Sequence, residues 1–227
     1  MPTEAPAEPG APTLLERLAR IDATSLSDAD KTLRVLPSAI RLVSPGLRML
    51  GRAVTAEANA DLMSVIAALR QSGPGDVLVV AAGTDTEAVA GELFATEAIR
   101  RGVAGIVIDG LCRDTPTLRQ LPLPVYARGS SPRATPAQKV PVTQVPLLIG
   151  DVLVHPGDVL LGDDDGIVVG TEDELAAAVD RAQAIQTGEE GLRARIRGGT
   201  SIFDGMNLDA HVAALTAGRT SALSLGI

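Results

Sequence analysis

The chain has one cysteine, two histidines, no tryptophan, one tyrosine and two phenylalanines in 227 residues. Each shortage excludes something. The lone Cys112 rules out an internal disulfide and a cysteine-rich zinc site, and is expected as a small half-buried side chain without a role. With only His155 and His211 available, neither a histidine-based triad nor a histidine-rich metal site is expected. The scarcity of aromatics removes the stacking platforms of a single-stranded nucleic-acid binder. It also leaves the core to Val, Leu, Ile and Ala. Basic residues are outnumbered, and the net charge of -8 argues against a phosphate-backbone partner, so no nucleic acid is expected.

No apolar run approaches the length of a membrane span, so no membrane partner is expected. The opening "MPTEAPAEPGAPT" is acidic and rich in Pro and Ala, the wrong composition for a signal peptide. It reads as a disordered leader over 1–13, and the chain as cytoplasmic. Common enzyme signatures are missing too: no Walker loop, no G-x-G-x-x-G after a strand, no G-x-S-x-G elbow, no H-E-x-x-H.

What is present is a soluble globular pattern, 45% hydrophobic and 21% charged, enough for a sizeable core. "LLERLARID" carries Leu14, Leu15, Leu18 and Ile21 at helical spacing, and "GRAVTAEA" (51–58) reads as a strand. In "ADLMSVIAALRQSG", Asp61 is the expected helix cap, Leu62, Val65, Ile66 and Leu69 form the apolar stripe, and Gly73 is the stop. "PGDVLVVAAG" is a turn feeding a buried strand. A helix from Glu92 to Arg101, stopped by Gly102, then leads to the strand in "VAGIVIDG", which is expected to turn at Gly110. Strand, helix, strand predicts a parallel βαβ unit with a right-handed crossover.

From about residue 122 the pattern changes to short strands between Gly, Pro and Asp turns: "LPVYARG", "VPLLIG", "DVLVHPGDVLLGDDDGIVVG". This predicts an antiparallel or mixed β layer. "HPGD" and "DDDG" are turn chemistry. Asp163, Asp164 and Asp165 lack the remainder of a calcium loop, with no glutamate at its twelfth position. Thr171 and Glu174 form a capping box for a long helix, and the tail around "FDGMNLDAHV" reads as a docking segment for another subunit. The expected organisation is one α/β domain over 14–227, with two β layers and helices outside.

Without histidine or cysteine chemistry, carboxylates, arginines and backbone amides remain. They suit an oxygen-liganded hard cation such as Mg²⁺, which keeps several waters and needs few protein ligands. Arg113 and Asp114 follow the end of a βαβ strand, where α/β sheets place ligands. Gly91, Glu92, Leu93 and Phe94 open the preceding helix, whose free N–H groups and positive dipole end suit a carboxylate. Read alone, Arg113–Asp114 is as readily a surface ion pair as a reaction centre, and Glu92 an ordinary first-turn glutamate.

The run "PGDVLVVAAG…AVAGELFATEAIRRGVAGIVIDGLCRD", with "LPLPVYARGSSP" and "HPGDVLLGDDDGIVV", resembles the RraA-like family. That family includes 4-hydroxy-4-methyl-2-oxoglutarate aldolases and regulators of ribonuclease activity. The likeness runs from about residue 14 to the helix beginning at Thr171. It is most specific in an acid-x20-Arg-Asp motif, filled here by Glu92, Arg113 and Asp114; the aldolases often carry Asp at the first position. The resemblance implies an α-β-β-α sandwich like the swivelling phosphohistidine domains, assembled as a homotrimer or dimer of trimers with sites between subunits. It also implies a divalent metal (Mg²⁺, or Mn²⁺) anchored by Asp114, a pyruvyl group bound by Arg113, and a carboxylate held by the amides around Leu93 and Phe94. The expected reaction is cleavage of a 4-hydroxy-2-oxo acid to pyruvate and a second oxo acid, with oxaloacetate decarboxylation alongside. A water oriented by Glu92 is the candidate base, and no lysine is placed for a Schiff base. The alternative is a non-catalytic regulator of a ribonuclease. A methyltransferase activity finds no glycine-rich cofactor fingerprint to support it.

Overall fold

Val77, Leu78, Val79 and Val80 are all fully buried, so the strand that holds them is covered on both faces. The computed structural model, which describes residues 12–224, shows what covers it. In chain order come α1 (Leu14–Leu18), α2 (Ala23–Ala29), β1 (Arg34–Val35), β2 (Arg41–Leu42), β3 (Met49–Glu57), α3 (Met63–Gln71) and β4 (Asp76–Ala81). Next are β5 (Ala88–Ala90), α4 (Glu92–Arg100), β6 (Gly105–Cys112), α5 (Thr115–Leu118), β7 (Val125–Ser130), β8 (Val142–Thr143) and β9 (Leu147–Ile149). The chain continues with β10 (Val152–Val154), β11 (Val159–Asp163), β12 (Gly166–Gly170), α6 (Glu172–Arg197), a 3₁₀ turn (Ile202–Gly205) and α7 (Leu208–Thr216). The leader expected over 1–13 lies outside the described residues as far as residue 11. Thr13 caps α1, its hydroxyl accepting from the Glu16 N–H.

Strands β3, β4, β6 and β7 are parallel neighbours in that order, a pairing that requires crossover connections; α3 and α4 supply the first two. The hairpin β11–β12 joins antiparallel beside β3, β1 adds to β12, and β2 closes the far edge on β7.

This sheet curls onto itself. The Tyr126 hydroxyl on β7 donates to the Asp163 carbonyl at the end of β11 at 3.0 Å, although β3, β4 and β6 lie between those strands in the sheet. The period-two alternation of strand side chains then sorts the apolar residues into layers. Val77, Val79, Val107 and Tyr126 from one half meet Leu160, Ile167 and Val169 from the other, with the β9–β10 hairpin contributing Leu147, Ile149 and Val154. On the outside of the first half, Leu78, Val80, Ile106 and Ile108 pack under α3 and α4. Beyond the second half, Val159, Leu161 and Val168 pack under α1, α2 and α6. Helix, sheet half, sheet half, helix is the expected α-β-β-α sandwich, and the two β layers are the two halves of one curled sheet.

Several local expectations need correction. Helix α3 begins at Met63, with Leu62 at its N-cap. Asp61 is fully buried and accepts from the Met63 N–H at 2.9 Å and the Gln138 N–H at 2.8 Å, so it joins a distant loop to the helix start. Strand β6 does not turn at Gly110 but runs on to Cys112. Gly110 is needed because a Cβ there would overlap the side chain of Ala82. The strand's register against β7 shifts between Ile108 and Leu111, the mark of a bulge. Cys112 is fully rather than half buried. Asp163 and Asp164 spend their carboxylates on the backbone N–H groups of Ala23, Asp165 and Gly46, in keeping with turn chemistry.

Among the described residues no helix is long and apolar enough to cross a membrane, and none beyond Ala182 is buried.

Candidate active site

The end of β6 is fixed from two sides. The Arg113 N–H donates to the Ala90 carbonyl at 3.0 Å, tying it to the end of β5. The Asp114 carbonyl accepts from the N–H groups of Thr117 and Leu118 at 3.0 Å, opening the short α5. Between these ties Asp114 adopts a left-handed backbone, φ 57° and ψ 34°, a region that Asp visits more readily than most non-glycine residues.

Its side chain returns to the start of α4, where Asp114 Oδ2 accepts from the Glu92 N–H at 3.1 Å. Gly91, the N-cap residue, has no side chain to do this, so the carboxylate caps the helix from another strand. Arg113 Nε stands 3.5 Å from the same oxygen, and the two side chains are 41% and 39% exposed. Asp114 Oδ1 has no hydrogen-bond partner among the described residues, and the N–H groups of Leu93 and Phe94 have no acceptor there.

Gly91 allows this convergence. Its φ of -162° is extended backbone open to any residue, so space is what matters. A Cβ would lie 2.5 Å from Asp114 Oδ2 and 2.7 Å from Arg113 Cγ.

Arg113 and Asp114 open onto a cavity of about 250 Å³. Leu62 at the N-cap of α3, Ile66 from α3, and Leu93 and Phe94 from α4 form its walls, together with Ala134. The loop carrying Ala134 is held by backbone bonds: Ala88 N–H to Arg133 carbonyl (2.7 Å), Thr135 N–H to Ala88 carbonyl (3.1 Å), Leu62 N–H to Pro136 carbonyl (2.7 Å).

The structure therefore brings together Gly91, Leu93, Phe94, Arg113 and Asp114 around one space. Glu92 stands beside it, contributing its N–H to Asp114; its carboxylate is not part of the cavity wall. Sequence reasoning missed the cavity role of Leu62, Ile66 and Ala134. Leu62 and Ile66 were assigned to the helix core stripe, yet only Val65 and Leu69 of that stripe are fully buried. Cys112, next to Arg113, is fully buried, and that burial pushes its thiol pKa up, which favours the protonated form.

For a metal, the donor set is sparse. Among the described residues no group of three or more His, Cys, Asp or Glu side chains converges, and Asp114 is the one carboxylate lining the cavity. A single carboxylate with a free oxygen in an open cavity fits a hard cation that retains water and takes substrate oxygens as ligands; it does not fit zinc held by three or four side chains.

A family model described as RraA-like (Aldolase/RraA) matches residues 22–169. A Halalkalibacterium halodurans protein carrying a provisional 4-hydroxy-4-methyl-2-oxoglutarate aldolase name is 34% identical over 169 residues, covering 72% of this chain and 80% of that one. The 4-hydroxy-4-methyl-2-oxoglutarate aldolase of Thermus thermophilus is 33% identical over 147 residues, covering 64% and 90%. Among solved structures, Streptomyces coelicolor RraAS2, described as an unusual member of the RNase ES inhibitor RraA family, superposes with a TM-score of 0.71 at 30% identity, covering 80% and 97%.

Proposed function

The chain belongs to the RraA-like (Aldolase/RraA) family, and on that premise we propose that it is a divalent-metal-dependent pyruvate aldolase. It would cleave 4-hydroxy-2-oxo acids such as 4-hydroxy-4-methyl-2-oxoglutarate to pyruvate and a second oxo acid, and decarboxylate oxaloacetate. The observation that carries this reading is the meeting of Arg113, Asp114 and the first turn of α4 at one cavity beyond the carboxyl end of β6.

Both reactions generate the enolate of pyruvate, so one electrophilic site serves both. Mg²⁺ or Mn²⁺, held by Asp114 through its free oxygen, would supply Lewis-acid polarisation of the 2-oxo group. Arg113 binds the pyruvyl oxygens and places fixed positive charge where the enolate develops, the kind of preorganisation that dominates many rate enhancements. The N–H groups of Leu93 and Phe94 take the substrate carboxylate at the positive end of α4. The 4-hydroxyl proton leaves to a water oriented by Glu92, whose carboxylate acts from beside the cavity rather than from its wall. Covered by a neighbouring copy, the apolar walls would exclude bulk water and so strengthen each of these charges. Among the described residues no lysine lines the cavity, in line with an enolate route rather than a Schiff base. The protein is proposed to work in the cytoplasm as a homotrimer or dimer of trimers, with a neighbouring copy covering the mouth where Leu93 is 72% exposed.

The test is release of pyruvate, read by coupled oxidation of NADH. Purified protein with Mg²⁺ is expected to release it from oxaloacetate or 4-hydroxy-4-methyl-2-oxoglutarate faster than the metal alone, and EDTA to abolish the gain. No release above the metal background would refute the proposal. Inhibition of a ribonuclease by the metal-free protein would instead favour the regulatory reading, which the RraAS2 likeness keeps in view.

Gly91→Ala offers a second check on the same geometry. The added methyl must push Asp114 and Arg113 apart, and misplacement of about 1 Å at a reacting centre costs on the order of 100-fold in rate. The variant is expected to keep wild-type circular dichroism and to lose about that much activity. Unchanged kcat would mean that the present placement of the two side chains is not the working one.

A further inference from the structure

Asp61 is 1% exposed, and both of its oxygens bind backbone N–H groups. Oδ1 accepts from Met63 at 2.9 Å, and Oδ2 from Gln138 at 2.8 Å and Lys139 at 3.3 Å. Burial works against the charge, but these three N–H groups and the Lys139 ammonium outweigh it and hold the carboxyl pKa below its ordinary value.

The turn that delivers Asp61 is strained. Asn59 and Ala60 both have left-handed backbones, φ 52° and 59°, a region that alanine rarely visits. Such strain persists where surrounding bonds over-determine it, and it gathers at functional sites. Here the Ala60 N–H donates to the Ala82 carbonyl at 2.7 Å and the Asp61 N–H to the Ala58 carbonyl at 3.0 Å, while the Lys139 ammonium donates to the Asn59 carbonyl. The two segments joined by Asp61 both reach the cavity. Leu62 follows Asp61 directly, Ala134 lies four residues before Gln138, and both line the wall.

Resting on the aldolase reading, we infer that Asp61 is a positioning residue for the reaction: its carboxylate clamps the loop 134–139 to the start of α3 and so holds Leu62 and Ala134 in place against the body of the substrate. Asp61 does not itself line the cavity, so it acts through these two residues and touches no reacting atom. A carboxylate suits the task because its two oxygens serve donors on two segments at once. Asparagine has one acceptor oxygen and turns an NH₂ group towards the remaining donors. The wall meets the substrate in the ground state and in the transition state alike, so loosening it weakens both, which raises KM and spares kcat. Arg113, Asp114 and the first turn of α4 take no part in the clamp.

The closing experiment measures pyruvate release from 4-hydroxy-4-methyl-2-oxoglutarate with Mg²⁺, and Mg²⁺ affinity by calorimetry, for the full chain and for Asp61→Ala and Asp61→Asn. Asp61→Ala is expected to raise KM about tenfold or more, with kcat per folded molecule within about threefold of the wild-type value and Mg²⁺ affinity unchanged. Asp61→Asn should raise KM by about threefold. A role in folding alone lowers the folded fraction and leaves the KM of the remaining molecules where it was. An unchanged KM in Asp61→Ala therefore overturns this inference and leaves the aldolase reading standing. A parallel loss of Mg²⁺ affinity does the same, because the change would then reach Asp114. Should Asp61→Ala not fold, Asp61→Asn decides by the same two criteria. Failure of the wild-type protein to release pyruvate overturns both readings.

Discussion

Arg113→Ala is expected to cut kcat for pyruvate release by about 10²- to 10³-fold, equivalent to about 3–4 kcal/mol of transition-state stabilisation, the loss typical of removing one preorganised oxyanion donor. The fold should be indifferent to the change. The Arg113 side chain is 41% exposed and makes one ion-pair contact, at 3.5 Å to its own neighbour, so its removal belongs with surface substitutions worth about ±0.5 kcal/mol. Arg113→Lys keeps the charge but loses the planar fork that grips two oxygens at once, and an intermediate loss is expected. Asp114 needs a more careful choice of variant because it has two separable tasks. Asp114→Ala removes the proposed metal ligand together with the cap on the Glu92 N–H. Asp114→Asn keeps an acceptor for that N–H and tolerates the left-handed backbone, so it isolates the charge. Metal affinity by calorimetry should fall in both, and pyruvate release with it. Wild-type turnover in Arg113→Ala and Asp114→Asn together would remove the basis for the proposed mechanism.

How much of this was legible in the chain depends on whether the cause is local. Helix α4 was readable nearly to the residue, because its apolar spacing ends at Gly102, which takes up a left-handed φ of 74°. Strands β4 and β6 were readable as apolar runs. Strand β5 was not, since it is three residues long and two of them are alanines, which are depleted in strands; it exists because it pairs with β6 and with the loop at Arg133. Helix α2 had a signal that went unused, as Asp22 caps it by accepting the Ser25 N–H at 2.6 Å.

The curl of the sheet rests on partners far apart in sequence, such as Tyr126 and Asp163, and no window of the sequence contains it. The site divides in the same way. Glu92, Arg113 and Asp114 were recognisable by type and spacing. The left-handed turn at Asp114 and the crowding at Gly91 are backbone facts, and beside them Glu92 takes a part that its charge does not suggest: its N–H donates to Asp114. The wall formed by Ile66 was hidden because an apolar helix residue looks the same whether it faces a core or a cavity.

Asp158→Ala is expected to destabilise the protein by about 3 kcal/mol, the lower end of what breaking a buried ion pair costs when one partner is left behind. Asp158 is 4% exposed, and its Oδ2 accepts from Arg34 Nη1 at 2.7 Å and from the His155 N–H at 2.8 Å. Arg34 also donates to the Leu153 carbonyl at 2.7 Å and reaches Glu174 at 3.4 Å. One guanidinium thus joins β1, the turn before β11 and the capping box of α6. Burial works against the Arg34 charge, but Asp158 and Glu174 outweigh it and hold the pKa above its ordinary value. Removing Asp158 leaves that charge partly buried with a weaker partner and strips an acceptor from the "HPGD" turn. Asp158→Asn, which can still accept from His155, should cost less. Replacing both members, Arg34→Met with Asp158→Leu, should recover most of the loss, because the penalty lies in the orphaned charge rather than in a large net worth of the pair. Urea denaturation at constant m-value compares the wild-type protein with Asp158→Ala, Asp158→Asn and the double variant. None of these residues lines the cavity at the end of β6, so pyruvate release per folded molecule should not change. A loss below about 1 kcal/mol in Asp158→Ala would place this pair with exposed salt bridges, and the network with the surface rather than the frame of the fold.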